Sequence, residues 1–138
     1  MSVLVGKKAP VFNTKAVVNG GEIVENFSLK QYEGEKYVVF FFYPADFTFV
    51  CPTELIAFQD KIAEFESRNV VVVGASTDSE FSPWKWLQTP TNEGGIQGVN
   101  YPIIVDQTLA ISKAYDVLAG EETYDEEGNE VFVGEAKA

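Results

Sequence analysis

The chain has 138 residues, of which 46% are apolar and 14% aromatic. This composition is typical of a globular protein and excludes a disordered one, and the length predicts a single domain over residues 1–138 with a buried core. The formal net charge is −11. Such a charge repels nucleic acids and anionic membrane surfaces, so we expect neither as a partner.

The cysteine and histidine content limits the chemistry further. The chain has one Cys and no His, which excludes an internal disulfide, a His/Cys zinc site and an imidazole that could activate the thiol. We expect no cofactor and no metal. Residues 1–8 show no signal-peptide pattern, and the longest apolar run, residues 37–43, is too short to span a bilayer. The expected compartment is therefore the cytoplasm.

In chain order, the first predicted element is a hairpin. Extended segments over residues 11–18 and 22–29 flank Asn19-Gly20-Gly21, and Asn-Gly between two such segments is typical of a tight turn. Residues 37–43 then form a continuous β-prone run that ends before Pro44. An apolar run without alternation predicts a strand that is buried on both faces, as in the centre of an α/β sheet.

Residues 51–68 are the strongest helix prediction. Apolar residues recur there at spacings of 3, 4 and 3, which puts them on one face: Leu55, Phe58, Ile62 and Phe65. Pro52 and Glu54 suit the first turn of this helix, and Arg68 suits its last turn. Residues 70–73 predict a second buried strand, so the order strand, helix, strand predicts a parallel pair.

The second half of the chain predicts shorter elements. A helix is predicted over residues 80–88, ended by Pro90, with four candidate N-cap residues before it: Ser76, Thr77, Asp78 and Ser79. A loop over 91–98, a third strand over 103–105 and a helix over 109–115 follow. The acidic tail predicts a second hairpin, with its turn at residues 125–129 between Tyr124 and the apolar residues 131–133.

Cys51 lies at the N-terminus of the strongest helix, where the loop that follows the apolar run of residues 37–43 ends. A lone cysteine is often only a small buried apolar residue. Here, however, the first N–H groups of the helix and its dipole favour a thiolate. Thr48 lies three residues earlier, so that its hydroxyl can fold back towards the sulfur, and Pro44 and Pro52 restrict the loop. Loops of this kind hold the sites of α/β folds.

Pro44, Thr48 and Cys51 match the Pro-x-x-x-Thr-x-x-Cys motif of peroxiredoxins. The sequence resembles the typical two-cysteine subfamily, which includes the bacterial alkyl hydroperoxide reductase C subunit. Residues 72–79, 86–90, 101–106 and 111–120 resemble the same subfamily, so nearly the whole chain aligns. The resemblance implies an α/β, thioredoxin-like fold with a central β-sheet flanked by helices, truncated at the C-terminus.

The resemblance also implies an activity: thiol-dependent reduction of hydrogen peroxide and organic hydroperoxides. Cys51 would be the peroxidatic nucleophile that becomes a sulfenic acid. Thr48 would hydrogen-bond the peroxide and the thiolate, Pro44 would shield the site from water, and Glu54 would belong to a supporting polar network. Plainer interpretations exist: Thr48 as a helix cap, Pro44 as the end of a strand and Glu54 as a complement to the helix dipole. The implied partners are an external thiol reductant and further copies of the chain.

The sequence departs from the family pattern in two functional residues. The family's active-site Arg and resolving Cys belong to a C-terminal part that these 138 residues do not match. Arg68 is predicted about 25 Å from Cys51, at the far end of the helix, so we expect a raised pKa for Cys51, weaker transition-state stabilisation and a need for an outside thiol. Pro83 also stands where the family often has His.

The same departure affects the sheet. Without the family's further strands, residues 37–43 would form an exposed apolar edge, which either the acidic hairpin or another chain would cover. We therefore expect self-association, but not the family's standard decamer.

Two classes of function remain open. One is a peroxidase with impaired activity, and the other is a non-catalytic thioredoxin-like assembly or interaction module, including an engineered shortened scaffold. A thiol–disulfide oxidoreductase is disfavoured because residue 54 is Glu and no Cys-x-x-Cys pair exists.

Overall fold

The computed structural model describes residues 4–43 and 51–136. Within them the strands and helices are, in chain order, β1 (Thr14–Val18), β2 (Glu22–Phe27), β3 (Tyr37–Phe42), α1 (Cys51–Asp60), α2 (Ile62–Ser67), β4 (Val70–Ser76), α3 (Phe81–Gln88), β5 (Ile103–Val105), α4 (Ala110–Ala114), β6 (Leu118–Tyr124) and β7 (Glu130–Ala136). Two 3-10 helices, Leu29–Tyr32 and Thr91–Glu93, lie in the connections.

Five of the strands form one mixed sheet in the order β2-β1-β5-β4-β3. The predicted parallel pair is confirmed: β3 runs parallel to β4, and β4 runs parallel to β5. β1 is antiparallel to both of its neighbours. The carboxyl ends of β3, β4 and β5 therefore lie at one edge of the sheet, where α/β folds place their sites.

The two predicted hairpins are also confirmed. Val18 pairs with Glu22 across the first turn, and Asn19 and Gly20 both have positive φ, at 51° and 78°. A tight hairpin turn with the native twist requires that backbone conformation, which Asn and Gly adopt most readily. The second hairpin pairs β6 with β7 as a two-stranded sheet of its own.

Helices cover both faces of the five-stranded sheet. Val72 and Ile103 pack on one face, in a cluster that includes Leu55 of α1 and Trp86 of α3. Their chain neighbours Val73 and Ile104 pack on the other face, in a cluster that includes Ile111 of α4. This alternation matches the period of a strand. The predicted α/β class is correct, with helices flanking a central sheet. None of the helices in the described residues is long and apolar enough to cross a membrane.

The predicted helix over residues 51–68 is two helices, with a break at Lys61. Lys61 has φ −102° and ψ 6°, and its N–H bonds to the carbonyl of Phe58 rather than to the residue four before it. The predicted apolar stripe is nevertheless confirmed, because Leu55 is fully buried and the later members of the stripe pack on the same cluster. One tightened turn leaves the spacings of 3 and 4 intact, so periodicity could not locate the break.

The apolar run of residues 37–43 forms an edge strand rather than a central one, as expected for a sheet without the family's further strands. β3 lies at the end of the sheet order, paired only with β4 among the described strands. Tyr37 is 76% exposed, and the next five residues are partly buried. The β6–β7 hairpin adds no strand to this edge, so the structure does not show the expected cover by the acidic hairpin.

The predicted capping of the helix near residue 80 is also wrong in detail. The N-cap residue of α3 is Glu80, whose side chain makes no capping hydrogen bond. Ser76 instead exchanges hydrogen bonds with Asp78, and Glu80 bonds to Lys15 of β1. The end of the helix at Thr89, just before Pro90, is as predicted.

Candidate active site

The N-terminus of α1 lies at the carboxyl edge of the parallel strands. β3 ends at Phe42, and the N–H of Tyr43 still bonds to the carbonyl of Ala75, beyond the last paired residues. One turn into α1, Leu55 is fully buried in the same apolar cluster as Tyr43. The chain therefore enters α1 next to the end of β3, which is the arrangement that the sequence predicts for Cys51.

The structure places the predicted site residues as follows. Cys51 is the first residue of α1 by its backbone, and Glu54 lies in the first turn of the same helix and is exposed. Pro44 and Thr48 lie outside the described residues. The prediction that Cys51 and Glu54 belong to this helix is therefore correct, whereas the roles of all four residues stay predictions.

A helix that begins at Cys51 supplies an electrostatic environment through its backbone. The first N–H groups of an α-helix have no partner within the helix, and together with the dipole they attract negative charge. A helix N-terminus stabilises a thiolate relative to the same group in an extended chain. Arg68 follows α2, where its side chain is 74% exposed and lies 3.8 Å from Glu64. It follows the second of the two helices, rather than ending the single helix that was predicted.

An apolar groove runs alongside α1 and the edge strand β3. Its lining consists of aromatic residues, one alanine and two opposite charges: Phe41, Phe42, Glu54, Ala57, Phe58, Lys61 and Phe65. The rings of Phe41 and Phe58 stack with centroids 4.4 Å apart, which packs α1 against β3. Glu54, which sequence reasoning assigns to a polar network near Cys51, thus lies on the rim of an apolar groove.

Two hydrogen bonds join α1 to the segment that precedes β5. The hydroxyl of Tyr101 donates to the carbonyl of Leu55 at 2.7 Å, and the backbone N–H of Asn100 donates to Gln59 Oε1 at 3.0 Å. Burial raises the pKa of the Tyr101 hydroxyl, so it remains a donor well above neutral pH. Sequence reasoning did not single out Tyr101. The available signal was a Tyr beside a buried strand, because a buried hydroxyl requires a partner.

Asp106, at the end of β5, organises the neighbouring loop. It is 2% exposed, and its carboxylate accepts from the N–H groups of Ile111 and Ser112 and from the Ser112 hydroxyl. These N–H groups belong to the first turn of α4, so Asp106 performs the capping role for that helix. Leu109 is the N-cap residue by position and has no side-chain acceptor. Sequence reasoning missed this role.

Within residues 4–43 and 51–136, no three or more His, Cys, Asp and Glu side chains are grouped so that they could hold a metal ion. The geometry that the structure describes is a cysteine in the first turn of α1, beside the carboxyl ends of the parallel strands β3, β4 and β5.

Comparisons with known proteins agree with this geometry. The family model described as AhpC/TSA family matches residues 5–134. The chain is 52% identical over 118 residues to peroxiredoxin prdx-2 of Caenorhabditis elegans, and 51% identical over 115 residues to the chloroplastic 2-Cys peroxiredoxin BAS1 of Spinacia oleracea. These matches cover 86% and 83% of this chain. They cover 57% and 43% of the relatives, so the chain spans about half the length of the curated relatives that it matches.

A solved structure shows the same fold. The reduced 2-Cys peroxiredoxin of Plasmodium vivax superposes with a TM-score of 0.80 at 36% sequence identity. The match covers 98% of this chain and 74% of that one. The thioredoxin-like fold that the sequence resemblance implies is therefore confirmed.

Proposed function

Because the chain belongs to the AhpC/TSA family, and because its relatives are 2-Cys peroxiredoxins, we propose that it is a thiol-dependent peroxidase. Its substrates are hydrogen peroxide and organic hydroperoxides. The observation that carries the proposal is the position of Cys51, the single cysteine, as the first residue of α1. That position favours the thiolate, which is the form of cysteine that attacks a peroxide.

The reaction needs one nucleophilic displacement at oxygen. The Cys51 thiolate attacks one peroxide oxygen, an S–O bond forms as the O–O bond breaks, and the leaving oxygen takes up a proton to become water or an alcohol. The sulfur is oxidised to a sulfenic acid, and the peroxide is reduced. An external thiol then displaces water from the sulfenic acid to give a mixed disulfide, and a second thiol releases Cys51.

The family resemblance supplies roles for the residues around Cys51. Thr48 donates a hydrogen bond to the peroxide and helps to hold the thiolate, and Pro44 keeps water away from the sulfur. Glu54, which is exposed in the first turn of α1, belongs to a polar network that supports the site. We propose Thr48 and Pro44 as catalytic residues together with Cys51, and Glu54 as a supporting residue.

The proposed partners follow from the same chemistry. The reductant is an external thiol of the thioredoxin type or a disulfide reductase. A homo-oligomer is proposed because β3 presents an edge that is unpaired within the described residues. The cytoplasm is the proposed compartment, supported by the single cysteine.

One observation favours a second candidate function, a non-catalytic assembly module. The groove beside β3 exposes aromatic side chains next to α1, including Phe41, Phe58 and Phe65, and exposed apolar grooves beside strand edges bind other chains. In this alternative, Cys51 would react with peroxide no faster than an ordinary thiol.

The rate of Cys51 oxidation distinguishes the two functions. Reduced protein is mixed with hydrogen peroxide, quenched at intervals and analysed by mass spectrometry for oxygen added at Cys51. Because the folded helix N-terminus activates the thiolate, we expect oxidation much faster than in the same chain denatured in urea. Equal rates in the two states would eliminate the peroxidase and leave the assembly module.

Variants provide the controls. Cys51→Ser should abolish peroxide consumption with added dithiothreitol. Thr48→Val should slow oxidation by about 10- to 100-fold, the range expected for a hydrogen bond to a charged group. The matched control is Thr108→Val, an exposed threonine in the turn after β5, which should leave the rate unchanged.

A further inference from the structure

Tyr101 makes a buried contact with the helix that begins at Cys51. Its hydroxyl oxygen lies 2.7 Å from the carbonyl oxygen of Leu55, across 46 residues of sequence. Tyr101 is 3% exposed and Leu55 is fully buried, so no water competes for this bond. Within α1 the Leu55 carbonyl is also the regular acceptor for the N–H of residue 59. The phenol uses the second lone pair of that carbonyl, which makes the bond a link between helix and loop.

A second link holds the next turn of the same helix. The backbone N–H of Asn100 donates to the side-chain oxygen of Gln59 at 3.0 Å. Leu55 and Gln59 are four residues apart and therefore lie on one face of α1. Asn100 and Tyr101, which are adjacent in one loop, thus donate hydrogen bonds to two successive turns of α1.

The loop itself is fixed to the sheet. The carbonyl of Pro102 accepts from the N–H of Gly74 in β4 at 2.9 Å, and Ile103 pairs with Gly74 as β5 begins. The Tyr101 ring also lies 6.0 Å from that of Phe41, in an edge-on arrangement. Phe41 in turn stacks on Phe58 of α1. Tyr101 therefore ties α1 to the centre of the sheet.

We propose that Tyr101 is a positioning residue for Cys51, acting through its hydrogen bond to Leu55. In an α-helix the N–H of Leu55 donates to the carbonyl of Cys51. Tyr101 therefore hydrogen-bonds to the same residue, Leu55, whose N–H bonds to Cys51 in the first turn. A fixed first turn keeps the free N–H groups of α1 directed at the thiolate. This inference rests on the proposed peroxidase function.

The test is Tyr101→Phe in the full chain. The variant removes only the hydroxyl, and the Leu55 carbonyl keeps its bond within the helix. Because the effect of a helix terminus on a nearby charge is modest, we expect the rate of Cys51 oxidation by hydrogen peroxide to fall about two- to fivefold. The pH midpoint of Cys51 alkylation by iodoacetamide should rise by about 0.3–0.7, the logarithm of the same factor.

Tyr115→Phe is the matched control. The Tyr115 hydroxyl also donates to a distant backbone carbonyl, that of Pro10, at 3.0 Å, but it packs on the opposite face of the sheet from α1. This variant should leave both the rate and the pH midpoint at their wild-type values. Gln59→Ala removes the second link and should shift both readouts in the same direction as Tyr101→Phe, so it decides the matter if Tyr101→Phe does not fold.

Three results would overturn the inference. A wild-type rate and pH midpoint in Tyr101→Phe would show that the hydrogen bonds to α1 do not affect Cys51. If Tyr101→Phe does not fold, the same result in Gln59→Ala would show this. An equal effect of Tyr115→Phe would show a general loosening of the fold. If Cys51 of the folded wild type reacts no faster than Cys51 of the denatured chain, both the peroxidase proposal and the positioning role fail. If the wild type reacts fast and Tyr101→Phe reacts equally fast, only the positioning role fails.

Discussion

At the scale of single residues, Asp106 is the side chain on which we expect the free energy of unfolding to depend most clearly. Its buried carboxylate is the side-chain acceptor for the N–H groups of Ile111 and Ser112, at 3.0 and 2.7 Å. Asp106→Ala would leave these donors and the Ser112 hydroxyl without that acceptor. Because loss of a helix cap and of buried hydrogen bonds each costs about 1–2 kcal/mol, we expect a loss of about 2–4 kcal/mol in the free energy of unfolding. Urea unfolding followed by circular dichroism measures it.

Asp106→Asn is the control for this prediction. The amide keeps one acceptor oxygen of nearly the same shape, so it should retain the bond to one N–H group and lose less stability than Ala. If Asp106→Ala is as stable as the wild type, the capping role assigned to Asp106 is wrong.

Sequence reasoning identified residues whose signals are local and missed those whose partners are distant. Cys51 and Glu54 were placed correctly in the first turn of a helix because Pro52 and the apolar stripe are close in sequence. Tyr101 was not singled out, since its partner Leu55 is 46 residues away. Asp106 was missed because it lies four residues before α4 begins, outside the usual N-cap position, which Leu109 occupies with a φ of 64°.

At the scale of elements, sequence patterns predicted which helices and strands exist, and how paired strands are oriented, better than they predicted which strands flank each strand in the sheet. Both hairpins and the parallel β3–β4 pair are confirmed because turn residues and apolar spacing are properties of one segment. The position of β3 could not be obtained in this way. A continuous apolar run indicates burial, but which strands flank it depends on residues elsewhere in the chain. The 3-10 helix at Thr91–Glu93, where a loop was predicted, is likewise too short for periodicity to register.

The contact between β1 and α3 carries a pH dependence. Lys15 Nζ lies 2.8 Å from Glu80 Oε1. This hydrogen bond lowers the pKa of Glu80 and raises that of Lys15. A lowered carboxyl pKa contributes stability above the ordinary value of about 4.3 and loses it as the pH falls through the lowered value. The raised lysine pKa contributes below about 10.4 and loses that contribution as the pH rises through the raised value.

We therefore expect Lys15→Met to be less stable than the wild type between about pH 5 and pH 9. The difference should shrink as the pH falls below about 4.3 and through the lowered pKa of Glu80, because Glu80 then becomes protonated in the wild type as well. Urea unfolding at a series of pH values measures it, with Lys85→Met, an exposed lysine of α3, as the control. A difference that is the same at pH 3 and pH 7 would mean that the Lys15–Glu80 bond does not determine it.

At the scale of the whole molecule, the edge strand β3 and the apolar groove beside it form a surface that other chains could pack on. Among the described strands β3 pairs on one side only, and the groove carries Glu54 and Lys61 on its rim. Glu54 lies in α1 and Lys61 directly follows that helix, seven residues later. The two residues are therefore about 10 Å apart along the helix axis, and they carry opposite charges. We expect a second copy to pair its β3 edge with this one about a two-fold axis.

Ala57→Arg tests this association without removing any packed side chain. Ala57 is exposed and lines the groove, so a charged arginine there should block apolar contact between copies. We expect light scattering to give a mass above that of the monomer for the wild type, increasing with concentration, and a monomer mass for Ala57→Arg. The control Ala63→Arg adds the same charge at an exposed position of α2 that does not line the groove, and it should associate like the wild type.

A wild-type monomer at every concentration would contradict the prediction, and equal masses for the two variants would place the contact elsewhere. Because the groove flanks the helix that begins at Cys51, loss of association in Ala57→Arg with unchanged Cys51 oxidation would show that the chain's assembly and its thiol chemistry are separable.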